Sequence, residues 1–174
     1  GRTAIVTGGN SGIGLEAAVS LAKRGATVVI ACRDPKRAET ALESIRERAS
    51  SKAVRAMPLD LARLASVREF ADAWLASGEK LDLLINNAGV MALPKGKTED
   101  GYETQFATNH LGHFALSLRL LPALERGRGS RVVTVSSMTH TSGKIVFDDL
   151  HGDRRYSPSG AYATSKLANL LFAY

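Results

Sequence analysis

The sequence predicts a doubly wound α/β domain, a parallel sheet with helices on both faces. Three observations predict it. Short β-branched runs alternate five times with helix-like segments. The runs are apolar throughout rather than at every second residue, the pattern of strands buried on both faces. A glycine-rich turn joins the first strand to the first helix, and right-handed crossovers then place the strand ends that carry the motifs along one edge of the sheet.

Each element has a local reason. Thr3 to Thr7 (TAIVT) is a β-branched run that ends in glycines. Leu15, Ala18, Leu21 and Ala22 recur at helical spacing, and Gly25 stands where a C-terminal cap glycine belongs. Thr27 to Ala31 is the second strand. Asp34-Pro35 starts a helix with a cap followed by a proline, and Ala38, Leu42, Ile45 and Ala49 form its apolar face. Ala53 to Pro58 is a weaker third strand. Leu64, Val67, Phe70, Ala71 and Trp74 mark the next helix, which ends near Gly78. Leu81 to Ile85 is the fourth strand, followed by Asn86-Asn87-Ala88-Gly89. A long helix is expected from Gly101 to about Glu125, kinked or ended by Pro122. Arg131 to Val135 is the fifth strand, 138–158 reads as a loop, and a last helix starts near Ser159. Its stripe of Leu167, Leu170, Leu171 and Phe172 is expected to pack on the sheet.

Composition narrows the function classes. The 174 residues suit one domain, with 44% hydrophobic and 23% charged residues, near the globular average. No run approaches a membrane span. Gly1 to Gly9 reads as strand and turn rather than a signal peptide, and without an initiator Met the natural N-terminus can lie upstream. The single Cys32 rules out an internal disulfide and fits a reducing compartment, hence a cytoplasmic reading. The formal charge is +6, but the basic residues are scattered (Arg24, Lys36, Arg63, Arg119, Arg128, Arg154), so no nucleic-acid partner is expected.

The turn Thr7-Gly8-Gly9-Asn10-Ser11-Gly12-Ile13-Gly14 follows the first strand and opens the first helix. Glycines there let the backbone turn tightly and let a pyrophosphate approach, while the helix N-terminus offers free N–H groups and partial positive charge. Ser11 or Asn10 can cap that helix. The spacing is T-G-x-x-x-G-I-G. With Asn86-Asn87-Ala88-Gly89 and Tyr162-x-x-x-Lys166, it resembles the short-chain dehydrogenase/reductase family, over the whole chain and in the family's order. The stretches ACRD (31–34), LDL (59–61), NHLGHF (109–114) and YATSKLAN (162–169) are most similar to the retinol-dehydrogenase-like branch, with WW-domain-containing oxidoreductases and protochlorophyllide reductases as near relatives.

The resemblance implies a Rossmann fold and a nicotinamide cofactor, held by Gly8, Asn10, Ser11, Gly12, Ile13 and Gly14. It also implies that Asp60 and Leu61 hold the adenine edge, and Asn87, Ala88 and Gly89 the adenosine side. Where the family usually places an acid for the ribose 2′-OH, this chain has Cys32, followed by Arg33. A carboxylate would repel a 2′-phosphate and a guanidinium can bind it, so NADP(H) is expected. Asp34 fits better as a helix cap.

Tyr162 and Lys166 stand four apart and share one helix face. Hydride transfer at a carbonyl carbon also requires a proton on or off the oxygen. A free tyrosine ionises near pH 10, whereas a general acid/base works best near neutrality. Closing about three units costs about 4 kcal/mol. One ammonium ~4 Å away supplies about that much at an effective dielectric of about 20. The resemblance adds that the lysine and tyrosine also contact the cofactor side of the site, that Ser137 binds the substrate oxygen, and that Asn109 holds a water linking the lysine to solvent. In this branch the serine precedes the tyrosine by 25 residues, which selects Ser137 over Ser136. His110 and His113 lack the further acid or cysteine ligands of a metal site, and packing or hydrogen bonding is expected of them. His140 and His151 fall in the loop and are expected to be solvated.

The reading is an NADP(H)-dependent oxidoreductase acting on a small-molecule carbonyl or alcohol, with Asn109, Ser137, Tyr162 and Lys166 as the reacting set. A non-catalytic NADP(H)-binding regulator or scaffold is the alternative. A sugar-nucleotide epimerase shares YxxxK but has its glycines differently spaced. The resemblance leaves a homodimer open. Residues 1–174 are taken as a single dinucleotide-binding catalytic domain truncated at its C-terminus, because the last helix stops in mid-course and the fifth strand would lack the neighbour that the strand order 3-2-1-4-5-6 supplies. A chain that ended here is expected to be poorly soluble and to turn over little.

Overall fold

A computed structural model describes residues 1–174. In chain order the elements are β1 (Thr3–Thr7), α1 (Gly12–Lys23), β2 (Thr27–Cys32), α2 (Pro35–Ala49), β3 (Val54–Pro58), α3 (Leu64–Ala76), β4 (Leu83–Asn86), α4 (Thr104–Phe106), a π-helical turn (Ala107–Leu111), α5 (Gly112–Arg119), α6 (Leu121–Glu125), β5 (Arg131–Thr134) and α7 (Pro158–Ala173). The strands form one parallel sheet in the order β3-β2-β1-β4-β5, the doubly wound topology expected. Crossovers from β1 run to both sides, so the carboxyl ends of β1 and β4 lie side by side where the order reverses.

Alternate residues of each strand serve opposite cores. Ile5, Val29 and Leu84 pack with Val67, Phe70 and Trp74 of α3 and Leu116 of α5. Val6, Val28 and Ile30 pack with Ala18 and Val19 of α1 and Leu42 and Ile45 of α2. Each large side chain removed from water contributes roughly 1.5–3 kcal/mol, which favours apolar residues on both faces of the central strands β1 and β2. β5 is an edge strand, and Val132 and Val133 remain exposed.

Helix ends follow local chemistry. The Asp34 carboxylate accepts from the N–H groups of Lys36 (2.9 Å) and Arg37 (3.1 Å), with Pro35 in the first turn of α2. Gly25 follows α1 at φ +78°, a conformation that disfavours any side chain. The start of α3 is capped from a distance, by Asp100 accepting from Leu64 N at 2.8 Å.

The expected long helix is divided. Gly101 lies at φ +84°, outside the helix, and Glu103 caps α4 by accepting from Gln105 N and Phe106 N. The π-helical turn then interrupts the α pattern. The break before Pro122 comes at Leu120 (φ −88°, ψ 0°), because proline has no N–H for the preceding turn. The 138–158 segment contains two 3-10 turns, Met138–Ser142 and Phe147–Asp149. In α7 the buried residues are Ala163, Ser165, Lys166, Ala168 and Asn169, whereas Leu167, Leu170 and Phe172 are half-buried and Leu171 is exposed. The leucine stripe therefore does not face the sheet. Lys166 and Asn169 take that side because both donate to the Val135 carbonyl beyond β5. The fold also gathers basic residues that are scattered in sequence: Arg2, Arg24, Lys80, Arg128 and Arg131 line one cleft at the amino edge of the sheet.

Candidate active site

The glycine turn is built around close approaches. Gly8 has φ +64° and Gly12 φ +52°. A Cβ on Gly14 would collide with the Gly8 carbonyl and the Asn87 amide, and a Cβ on Gly9 with Ile30. Ser11 occupies the N-cap position of α1 but its side chain makes no capping hydrogen bond. Neither candidate side chain therefore claims the first N–H groups of α1, which face the sheet's carboxyl edge. Ile13 is 73% exposed beside them. A backbone cradle without Cβ atoms, at a helix N-terminus, fits a dinucleotide pyrophosphate.

The second turn is tied to the first. The Asn87 side chain donates to Thr7 O (2.8 Å), and the backbone N–H groups of Asn87 (2.9 Å) and Ala88 (3.0 Å) donate to Thr7 Oγ1. Gly89 stays exposed, and a Cβ there would come within 3.2 Å of Asn109 Oδ1 and 3.6 Å of Lys166 Nζ. Asp60 and Leu61 form the third turn. Asp60 accepts from Ala62 N at 3.0 Å, and Gly112 approaches the Leu61 carbonyl so closely that no side chain would fit between them. Arg33 is exposed at the end of β2, with Cys32 buried before it and Asp34 committed as a cap.

Asn109, on the π-helical turn, is fully buried and its side chain makes three hydrogen bonds to two residues. Its amide accepts from Val90 N (2.8 Å) and donates to Val90 O (2.9 Å) and to Ser165 Oγ (2.9 Å). Lys166 is buried and donates to Val135 O at 3.1 Å, and its Nζ lies over the Tyr162 ring, 5.7 Å from the centroid. Burial lowers the pKa of the Lys166 ammonium from its ordinary value.

The two strand-end serines differ in what their hydroxyls do. Ser136 Oγ donates to the Lys166 carbonyl (2.7 Å), so its proton is committed to holding α7. Ser137 Oγ accepts from Thr139 N (3.3 Å) and Thr139 Oγ1 (3.0 Å), which leaves its own proton free to donate.

The glycine turn, Arg33, Asp60 and Leu61, Asn87 to Gly89 and Ser137 thus each follow a strand at the carboxyl edge of the sheet, and Asn109 and Lys166 are bonded to the segments that follow β4 and β5. Several contributors lie inside the quoted motifs but were given no role of their own from the sequence. Thr7, Ser165 and Asn169 act through long-range hydrogen bonds, and Gly112 through a close approach. His110 pairs with Asn169 Oδ1 (3.2 Å), and His113 is fully buried between Thr7 and Asn109. The loop histidines are not simply solvated. His140 Nδ1 donates to Ser137 O (2.7 Å), and His151 accepts from Glu103 N (3.4 Å) and packs against Tyr102.

The family model described as short chain dehydrogenase matches residues 2–173. Retinol dehydrogenase 12 of Mus musculus is 51% identical over 172 residues, covering 99% of this chain and 54% of that protein. Polyprenol dehydrogenase of Mus musculus is 53% identical over 177 residues, covering 99% and 53%. The chain thus spans about half the length of the curated relatives it matches. Among solved structures, an uncharacterised protein from Mycobacterium Paratuberculosis has a TM-score of 0.86 at 50% identity, covering 98% of this chain and 59% of that one. A short-chain dehydrogenase from Sphingobium yanoikuyae in complex with NADPH has a TM-score of 0.74 at 25% identity, covering 98% and 62%.

Proposed function

Because this chain belongs to the short-chain dehydrogenase family, in its retinol-dehydrogenase-like branch, we propose that it carries the cofactor site and the proton-transfer residues of an NADP(H)-dependent oxidoreductase for a carbonyl/alcohol pair. The observation that carries this reading is one group of side chains. Tyr162 and the buried Lys166 share a helix face, and the uncommitted Ser137 hydroxyl belongs to the same sheet edge as the glycine turn.

Gly8, Asn10, Ser11, Gly12, Ile13 and Gly14 would hold the pyrophosphate, Asp60 and Leu61 the adenine edge, and Asn87, Ala88 and Gly89 the adenosine side. When bound, the cofactor supplies or accepts the hydride. The protein's own work is with the oxygen. The Ser137 hydroxyl donates to the substrate oxygen and stabilises charge developing there. Tyr162 gives the proton in reduction and takes it in oxidation. Lys166 favours the ionised phenol by its charge, and Asn109 fixes the neighbouring backbone through Val90 and Ser165.

Arg33 supports NADP(H) over NAD(H). It is exposed at the end of β2, no carboxylate stands at position 32, and the nearest acid, Asp34, is occupied by two backbone N–H groups. A lipophilic substrate suits Met91 and Met138, both exposed just beyond β4 and β5, and agrees with relatives named for retinol and polyprenol.

The test is Tyr162→Phe in the full-length protein. NADPH-dependent reduction of an aldehyde is expected to fall at least ~100-fold while NADPH affinity, read by its fluorescence, stays within about twofold. Undiminished turnover would refute the assignment.

A further inference from the structure

His113 is hydrogen-bonded to both Thr7 and Asn109, yet neither cofactor binding nor proton transfer as described above uses it. It lies on the first turn of α5 and is 1% exposed. Its Nδ1 is 2.9 Å from the Asn109 carbonyl, which can only accept, so Nδ1 carries the hydrogen. Nε2 is then an acceptor, and the hydroxyl 2.8 Å away, that of Thr7, must donate to it. Thr7 has one hydroxyl proton, which is therefore not available to the Ile85 carbonyl at 3.3 Å. The remaining Thr7 lone pairs accept the N–H groups of Asn87 and Ala88.

The direction of the chain is thereby fixed. It runs from the Asn87–Ala88 backbone through the Thr7 hydroxyl and the His113 ring to the Asn109 carbonyl. From there the Asn109 side chain reaches Val90 and, through Ser165, the helix that carries Tyr162 and Lys166. A leucine of similar volume could fill the space but could not link the two sides.

We propose that His113 is a positioning residue that couples the Asn87–Gly89 turn to the proton-transfer helix, holding Thr7 with one ring nitrogen and Asn109 with the other. The ring works in its neutral form. Burial disfavours the cation most, Lys166 from α7 and His110 from the π-helical turn disfavour it further, and only the bond to the Asn109 backbone favours it. The kinetic arm of the test rests on the oxidoreductase reading above; the binding and spectroscopic arms do not.

Two substitutions separate the halves of the ring. His113→Asn retains a donor near Asn109 O and loses the acceptor for Thr7. His113→Gln reaches Thr7 with its carbonyl oxygen and loses the donor to Asn109. In the full-length protein, His113→Asn is expected to weaken NADPH binding about fivefold, the scale of one hydrogen bond, with the pH profile of kcat unmoved. His113→Gln is expected to bind NADPH within about twofold and to displace the kcat profile by about half a pH unit or more. Equal losses in both variants on both readouts, or no change in either, would overturn the coupling. Should the variants fold poorly, ring 15N spectra of the wild type decide the matter. The His113 ring is expected as the neutral Nδ1–H form at pH 6, with resonances that move when NADPH is added. An Nε2–H ring, or one indifferent to NADPH, overturns the proposal. Wild-type NADPH binding without turnover would count against the oxidoreductase reading alone.

Discussion

Burial of His113 makes a quantitative prediction about acid sensitivity. An ordinary histidine ionises near 6.5, and in the folded chain His113 is pushed down to about 4. Between those values the unfolded chain binds a proton that the folded chain refuses, so stability falls as the pH drops from about 6.5 to about 4. Two and a half units at about 1.36 kcal/mol per unit is about 3 kcal/mol, fully lost near pH 4 and fully present above about pH 7. That is a large share of the ~5–15 kcal/mol by which a domain of this kind is stable. His113→Gln removes the titrating group and retains a partner for Thr7. Urea unfolding of both proteins at intervals from pH 7 to pH 4 gives the measurement. Carboxylates protonate in both proteins and cancel in the difference. The stability advantage of the wild type is expected to shrink by about 3 kcal/mol across that range. A difference flat to within about 0.5 kcal/mol would show that His113 takes up its proton normally in the folded state, and the burial argument would fail.

Other expectations are simpler to check. Gly14→Ala must push against the Gly8 carbonyl and the Asn87 amide, so a stability loss of about 1–3 kcal/mol and loss of NADPH binding should appear in thermal melts and fluorescence titrations. Asp34→Ala leaves two N–H groups of α2 uncapped and should cost about 1 kcal/mol in urea unfolding. Arg33→Glu should weaken NADPH binding at least ~10-fold, with NADH affected far less, since a carboxylate repels only the 2′-phosphate; equal weakening of both would contradict the NADP(H) reading.

The fold was legible because its signals are local. Apolar β-branched runs gave all five strands, and Asp34-Pro35 and Gly25 marked helix ends that the backbone confirms. The glycine turn was legible because Gly8 sits at a φ that favours glycine and the clearance at Gly14 leaves no room for a side chain. Less legible was the 101–125 segment. Its apolar spacing is helical throughout, and nothing in that spacing announces a π-helical turn, which coincides with the place where Asn109 meets Val90 and Ser165. The leucine stripe of α7 misled for a related reason. Periodicity identifies an apolar face, but the Val135 carbonyl needed donors, and Lys166 and Asn169 supplied them.

By itself, then, the sequence determined the order of the elements and the parallel sheet, and it nominated the candidate site residues, because hydrophobic pattern, caps and glycines act within a few positions of chain. Tertiary structure added that the Ser136 hydroxyl is committed to the Lys166 carbonyl while that of Ser137 keeps its proton, and it brought His113 between Thr7 and Asn109. Thr7 and His113 lie 106 positions apart. A hydrogen bond across that separation exists only after β1 and α5 have packed on the same sheet, and no local pattern records it.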